Sequence, residues 1–180
     1  MRKALLLLAF LVWILSPARL PAQEALTGAN LPGFLERFDL NFSFVEEAYR
    51  DLANEKLPLR DTQGQPLSRR PIEERSRLIS GLRQTSREAA GNPQGLVVVA
   101  KLVLQTAELA SDLFDLAQIA YDNDREDLGA RLAVAQTTME QNKALLASYL
   151  LSLAAEKEER LRKLEKENAD LQLRLKPATP

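Results

Sequence analysis

The groups in this sequence whose type and spacing best resemble a catalytic site are paired carboxylates. Asp112 and Asp115 share one face of a predicted helix, and Glu46 and Glu47 are adjacent. Two acids held a fixed distance apart can act as general acid and base, as in glycoside hydrolysis. Such acids need a cleft that perturbs their pKa values, and no pocket-forming loops surround either pair. We therefore predict solvated surface acids and no enzyme.

Cys and His are both absent from the 180 residues, which removes most other site chemistry. Without them there is no thiol nucleophile, no Ser–His–Asp triad and no Cys/His zinc site. The Glu-x-x-His pairs of di-metal four-helix bundles are excluded for the same reason. The sequence identifies no catalytic residue, no cofactor, no metal ligand and no small-molecule substrate.

The acidic turn "DNDREDLG", Asp122 to Gly129, places acids two residues apart, as calcium loops do. The EF-hand pattern would need Gly in place of Asp127 and an acid in place of Ala133. We predict a turn instead of a calcium site. Asp124 is expected to cap the next helix, with Asp127 three residues later in an arrangement like a capping box.

The N-terminal segment has the composition of a secretory signal peptide. Arg2 and Lys3 precede an uninterrupted apolar run of 12 residues, Ala4 to Leu15, which is shorter than the roughly 20 residues of a membrane span. Small residues that follow offer cleavage after Ala18 or Ala22. We predict a signal peptide over residues 1–22 and export to the bacterial periplasm or the outside. An uncleaved anchor is the alternative.

Four amphipathic segments follow. In the first and the last, residues of the stripe recur at alternating steps of four and three, which is typical of helices; the third also carries a stripe, and the stripe of the second is thin. Polar and Pro-containing stretches separate them, and helices 1 to 3 are each about 25 residues long by this pattern. The four apolar stripes comprise Leu31, Leu35, Phe38, Phe42, Val45, Tyr49 and Leu52; Ile72, Ile79, Leu82 and Ala90; Leu96, Val99, Val103, Ala110, Leu113 and Ala117; and Leu128, Leu132, Ala135, Met139, Asn142 and Leu146.

The caps of these segments are predicted from residue type. Asn30 and Ser68 are candidate N-caps, with Pro32 and Pro71 in the first turns that follow. The stretch "LNFSF", Leu40 to Phe44, alternates like a strand, but the longer helical pattern outweighs it. We therefore predict an all-α, four-helix up-and-down bundle over residues 23–155.

The last helix begins near Arg125 in this interpretation, and no helix breaker follows until Pro177. A helix of some 50 residues would be about 75 Å long, against about 38 Å for the others. About half of it would therefore extend beyond the bundle as a tail over residues 156–176. Residues 177–180 are predicted to be disordered.

A leucine seam runs along this tail. With Leu161 at heptad position a, the seam comprises Leu161, Leu164, Asn168, Leu171 and Leu175. A polar Asn in such a seam sets register and oligomeric state, and Arg160 would attract Glu165 of a second chain in a parallel pair. This pattern favours a parallel homo-oligomer. Docking on another envelope protein is an alternative, and so is a solitary solvated helix stabilised by the i,i+4 pairs Glu156–Arg160, Glu158–Arg162 and Glu159–Lys163.

The second helix is basic, with an excess of arginine over acid. Its arginines are Arg69, Arg70, Arg75, Arg77, Arg83 and Arg87. Such a helix could bind an anionic membrane or polymer surface. The flanking segments Gln23 to Leu67 and Gln94 to Asp124 each carry a formal charge of −4, so the basic helix complements its neighbours. Nothing in the charge balance indicates nucleic-acid binding.

The sequence therefore predicts an exported structural or interaction protein, namely an envelope scaffold, adaptor or holdase-like chaperone that oligomerises or docks a partner through its C-terminal helix. The alternative function is a peripheral envelope- or membrane-surface-binding module that uses the basic second helix.

Export can be tested on the protein isolated from its source. Mass spectrometry should give an N-terminus near Arg19 or Gln23, because cleavage after Ala18 or Ala22 would remove the apolar run. A soluble cytosolic form that still begins at Met1 would contradict the prediction.

Overall fold

A computed structural model describes residues 25–54, 59–61, 63–65 and 69–175, except the side chains of residues 69–74. Its helices are α1 (Leu31–Ala53), α2 (Arg69–Gly91), α3 (Leu96–Asp122) and α4 (Glu126–Leu175). Each helix packs against the next, and α4 closes the ring on α1. The predicted all-α bundle with an extended C-terminal helix is confirmed. The signal peptide, the Ser68 cap and the segment 177–180 lie outside the described residues.

The predicted stripe of α1 forms one side of the core. All seven of its apolar residues are buried. The Phe38 and Phe42 rings meet edge to face with centroids 4.7 Å apart, and Phe34 stacks on Phe38. The stretch that alternates like a strand is helical, with Phe42 buried while Leu40 and Phe44 are exposed. Helical period therefore decides which of these three side chains enters the core.

Helix α3 buries more apolar residues than its sequence stripe predicted. Leu102, Leu109 and Leu116 are completely buried beside the predicted Val99 and Leu113. α3 packs most extensively on α4, and the close approach is visible at Gly129, where an added Cβ would lie 2.8 Å from the Tyr121 ring. A helix that packs on more than one neighbour buries a wide arc of its surface, so its buried apolar residues are not confined to one narrow stripe.

The prediction that Asn30 is the N-cap of α1 is right in position and wrong in its side-chain hydrogen bond. Asn30 holds the N-cap position, but its side chain makes no hydrogen bond to the helix. Its Oδ1 instead accepts a hydrogen bond from the Thr27 backbone N–H at 2.6 Å, and its Nδ2 donates to the Ala25 carbonyl. The Asn30 side chain therefore holds residues 25–27, which precede α1, in place. Pro32 lies in the first turn, as predicted.

The prediction that Asp124 caps α4 is also wrong, because this residue terminates α3. Asp124 has a left-handed φ of 57°. Its N–H donates to the Tyr121 carbonyl at 3.1 Å, and the Arg125 N–H donates to the Ala120 carbonyl at 2.9 Å. These two bonds form the Schellman arrangement that satisfies the last carbonyls of a helix. α4 then starts one residue after Arg125, with Glu126 and Asp127 in its first turn.

Helix α4 is 50 residues long, and α1, α2 and α3 have 23, 23 and 27 residues. The lengths agree with the sequence prediction. Within the described residues, no helix is both long and apolar enough to span a membrane.

The left-handed turn at Asp124 can be tested by stability measurements. Asp124→Gly should raise the free energy of unfolding by about 0.5 kcal/mol, because Gly adopts positive φ without a Cβ penalty. Asp124→Val should lower it by about 1 kcal/mol or more, since a β-branched side chain is strained there. Urea denaturation of both variants is the measurement. Equal destabilisation by Gly and Val would contradict this account of the turn.

Candidate functional site: the projecting end of helix α4

Helix α4 leaves the bundle beside the α2–α3 connection. The Tyr149 hydroxyl donates a hydrogen bond to the Pro93 carbonyl at 2.8 Å, and Gly28 lies against the same hydroxyl. Leu153, 3% exposed, is the last buried residue of the helix. From residue 154 to Leu175 the helix continues for 22 residues, about 33 Å, and we call this part the projecting segment.

The projecting segment exposes every residue of the predicted seam. Leu161 is 60% exposed and Leu175 is 79% exposed, and Leu164, Asn168 and Leu171 are exposed as well. The structure therefore keeps the five residues on one continuous helix and buries none of them against the bundle. Leu173, also exposed, lies on the opposite face of the helix.

Charged side chains cover the remaining surface of the projecting segment. Two of the three predicted i,i+4 pairs form: Glu158 with Arg162 at 2.6 Å and Glu159 with Lys163 at 2.7 Å. Such exposed pairs support an isolated helix by only about 0.2–0.5 kcal/mol each. The segment has six acidic and six basic residues, so its formal charge is zero. Its distinctive feature is therefore the leucine row and not its charge.

The basic helix α2 directs some of its arginines at acids of the bundle. The Arg83 guanidinium binds Asp39 at 3.0 Å and Glu46 at 2.5 Å, and lies 5.8 Å from the centroid of the Phe42 ring. The hydrogen bond to Glu46 is the main cause of a raised pKa of Arg83. Arg77 and Arg87 are exposed, and the side chains of Arg69 and Arg70 lie outside the described residues. Of the four arginines whose side chains the structure describes, two are therefore bound to acids of the bundle and two are exposed.

Arg75 takes part in a polar cluster that sequence reasoning missed. Its Nε lies 2.6 Å from one carboxylate oxygen of Asp112, and the Tyr49 hydroxyl donates to the other oxygen at 2.6 Å. Tyr49 is 2% exposed. The position of Tyr49 in the buried α1 stripe was the available clue, because a buried phenol requires an acceptor. The acceptor could not be identified, since it lies 63 residues away.

Burial, followed by the charge of Asp112, raises the pKa of Tyr49 above its ordinary value near 10. Because the folded-state pKa exceeds the unfolded value, this phenol's contribution to stability is complete below about pH 10 and declines at higher pH. At neutral pH Tyr49 is therefore a protonated donor. Its partner Asp112 accepts this hydrogen bond with one carboxylate oxygen and binds Arg75 with the other.

The other acids considered for catalysis lie apart from any common cleft. Glu46 binds Arg83, while Glu47 and Asp115 are exposed. A cavity of about 440 Å³ between α1 and α4 is lined by apolar and uncharged polar residues together with Arg37, and by no acid. In the part of the chain that the structure describes, no three Asp or Glu side chains gather as metal ligands.

Comparison with known proteins found no similarity: no protein-family model, no curated protein sequence and no solved structure matches this chain. The projecting segment is thus selected on its geometry alone.

The Tyr49–Asp112–Arg75 cluster makes a prediction about stability. Asp112→Ala should lower the free energy of unfolding by about 2–4 kcal/mol, since it leaves a partly buried guanidinium and a buried hydroxyl without their acceptor. The matched control is Asp115→Ala, an exposed acid of the same helix, which should change stability by no more than about 0.5 kcal/mol. Urea denaturation measures both, and similar effects of the two substitutions would contradict the assigned role of Asp112.

Proposed function

We propose that this protein is a structural or interaction protein of the bacterial envelope, which assembles with other protein chains through the projecting segment of α4. The observation that carries the proposal is a 22-residue helical extension whose leucine row has no partner in the described part of the chain. Scaffold, adaptor and holdase-like chaperone are the roles that fit such an exposed helix on a folded bundle.

The energetic case comes from the leucines. Complete burial of a leucine side chain contributes about 1.5–3 kcal/mol relative to leaving it exposed. Leu161, Leu164, Leu171 and Leu175 offer four such side chains on one face. A second helix laid along this face would bury them, as the a and d residues of coiled coils are buried. Asn168 in the same row would restrict which registers are favourable.

The location in the envelope rests on the sequence of residues 1–22, which lie outside the described residues. An exported chain without Cys has to be held together by packing. The bundle meets that requirement with a core that spans all four helices. These two points support the proposed location.

The alternative function, surface binding through the basic helix, has less support from the geometry. Arg75 and Arg83 bind acids of α3 and α1, so a large part of their charge is compensated within the bundle. Salt-sensitive binding of the protein to anionic vesicles would favour this alternative.

The proposed function is tested by placing charges in the leucine row. Leu164→Asp combined with Leu171→Asp should weaken association at least hundredfold, because carboxylates would have to be buried in the interface. Helical circular dichroism and a cooperative melt should persist, since neither residue touches the bundle. Light scattering and retrieval of partners from the native envelope are the measurements.

The matched control for this double variant is Leu173→Asp, which places the same charge on the opposite face of the segment and should leave association intact. Unfolding of the whole bundle by the double variant, or equal loss of association in the control, would contradict the assignment of the leucine row.

A further inference from the structure

The leucine row of the projecting segment continues the buried face of α4. Within the bundle, α4 buries Leu128, Leu132, Ala135, Met139, Leu146, Tyr149 and Leu153. At 3.6 residues per turn, the mean direction of the exposed leucines at 161, 164, 171 and 175 differs from that of the buried stripe by only about 20°. One face of a continuous helix therefore packs on the bundle up to Leu153, is half-buried at Lys157 and is exposed from Leu161 onward.

This alignment restricts how a second copy can approach. In a parallel pair, the partner helix would lie about 8–10 Å from α4 on the leucine side along its whole length. Beside residues 126–153 that space is already filled by α1 and α3, which pack on the same face of α4. Since α4 is helical from Glu126 to Leu175 without interruption, a parallel pair of complete chains would clash.

An antiparallel pair has no such clash. The partner segment would run in the reverse direction beside the leucine row. Its C-terminal end, near Leu175, would approach the start of the first segment, near residue 154. Each bundle would then lie beyond the end of the other chain's segment. The two projecting segments, 22 residues each, would lie side by side, and the leucine rows within them, Leu161 to Leu175, would face each other over up to about 21 Å.

The charge of the segment suits a second copy of itself. Six acidic and six basic residues cancel, so two identical segments meet without net repulsion. A strongly basic or strongly acidic partner would gain no such advantage from a neutral surface. Antiparallel pairing also places the helix dipoles in opposition, which is favourable to the extent that the ends are exposed.

We infer that two copies of this chain pair through the projecting segments in antiparallel orientation, with a bundle at each end of a two-helix connector. This inference rests on the proposed function and specifies its partner. It also replaces the parallel arrangement that the heptad charges favoured in the sequence.

The orientation can be measured with single cysteines, because the chain has none of its own. Lys157→Cys lies about one turn before the leucine row and Leu175→Cys lies at its end, so the two positions are about 27 Å apart along the helix. Both leave Leu161, Leu164 and Leu171 in place. Each full-length variant, and then a refolded equal mixture of the two, is treated with a short bis-maleimide linker at a concentration where light scattering shows association.

If the pair is antiparallel, the mixture should form a covalent dimer in which position 157 of one chain is linked to position 175 of the other. Each variant alone should form several-fold less covalent dimer. Efficient linkage of each variant to itself in an associated sample would overturn the antiparallel orientation and leave the proposed function standing. An associated sample in which the mixture forms no linkage also overturns it. If the chain is monomeric at tens of micromolar, the second copy is the wrong partner, and retrieval of partners from the envelope then decides the proposed function separately.

Discussion

The structure depends on one constraint, which is that a helix can be buried only as far as its neighbours reach. Helices α1, α2 and α3 have 23, 23 and 27 residues, whereas α4 has 50. The bundle therefore covers α4 up to Leu153, and from Arg160 to Leu175 every residue of the helix is exposed. The proposed assembly through α4 follows from this mismatch, because a folded bundle has no need of a segment that carries an apolar row and extends about 33 Å beyond it.

Inside the bundle, two groups of charged and polar side chains bind one another across the helices. Tyr49, Asp112 and Arg75 connect α1, α3 and α2 in one cluster, while Arg83 joins α2 to Asp39 and Glu46 of α1. The basic character of α2 thus serves the packing of neighbouring helices whose charge is opposite. A binding function for the bundle surface finds less support than one for the segment beyond it.

The same apolar periodicity serves two purposes along α4. Up to Leu153 it contributes to the core of its own chain, and from Leu161 to Leu175 it is available to another chain on nearly the same face. The heptad pattern of the segment alone does not show on which side of the leucine row the bundle lies. In the dimer that we propose, a bundle attached on the leucine side excludes a parallel neighbour, so the orientation of the proposed assembly is set by a part of the molecule outside the interface.

The sequence by itself determined the helical class, the number of helices in the bundle, the length of α4 and the exposed leucine row, since each follows from local periodicity and from the absence of helix breakers. It placed Asn30 correctly at the N-cap of α1 but not its side-chain hydrogen bond, and it wrongly assigned Asp124 as the cap of α4, because the path of the chain directs the hydrogen bonds of both residues elsewhere. The pairing of Tyr49 with Asp112, and the direction of the leucine row relative to the bundle, were decided only by the tertiary structure. Both depend on which surfaces of distant helices meet, and this is a property of packing that no local pattern contains.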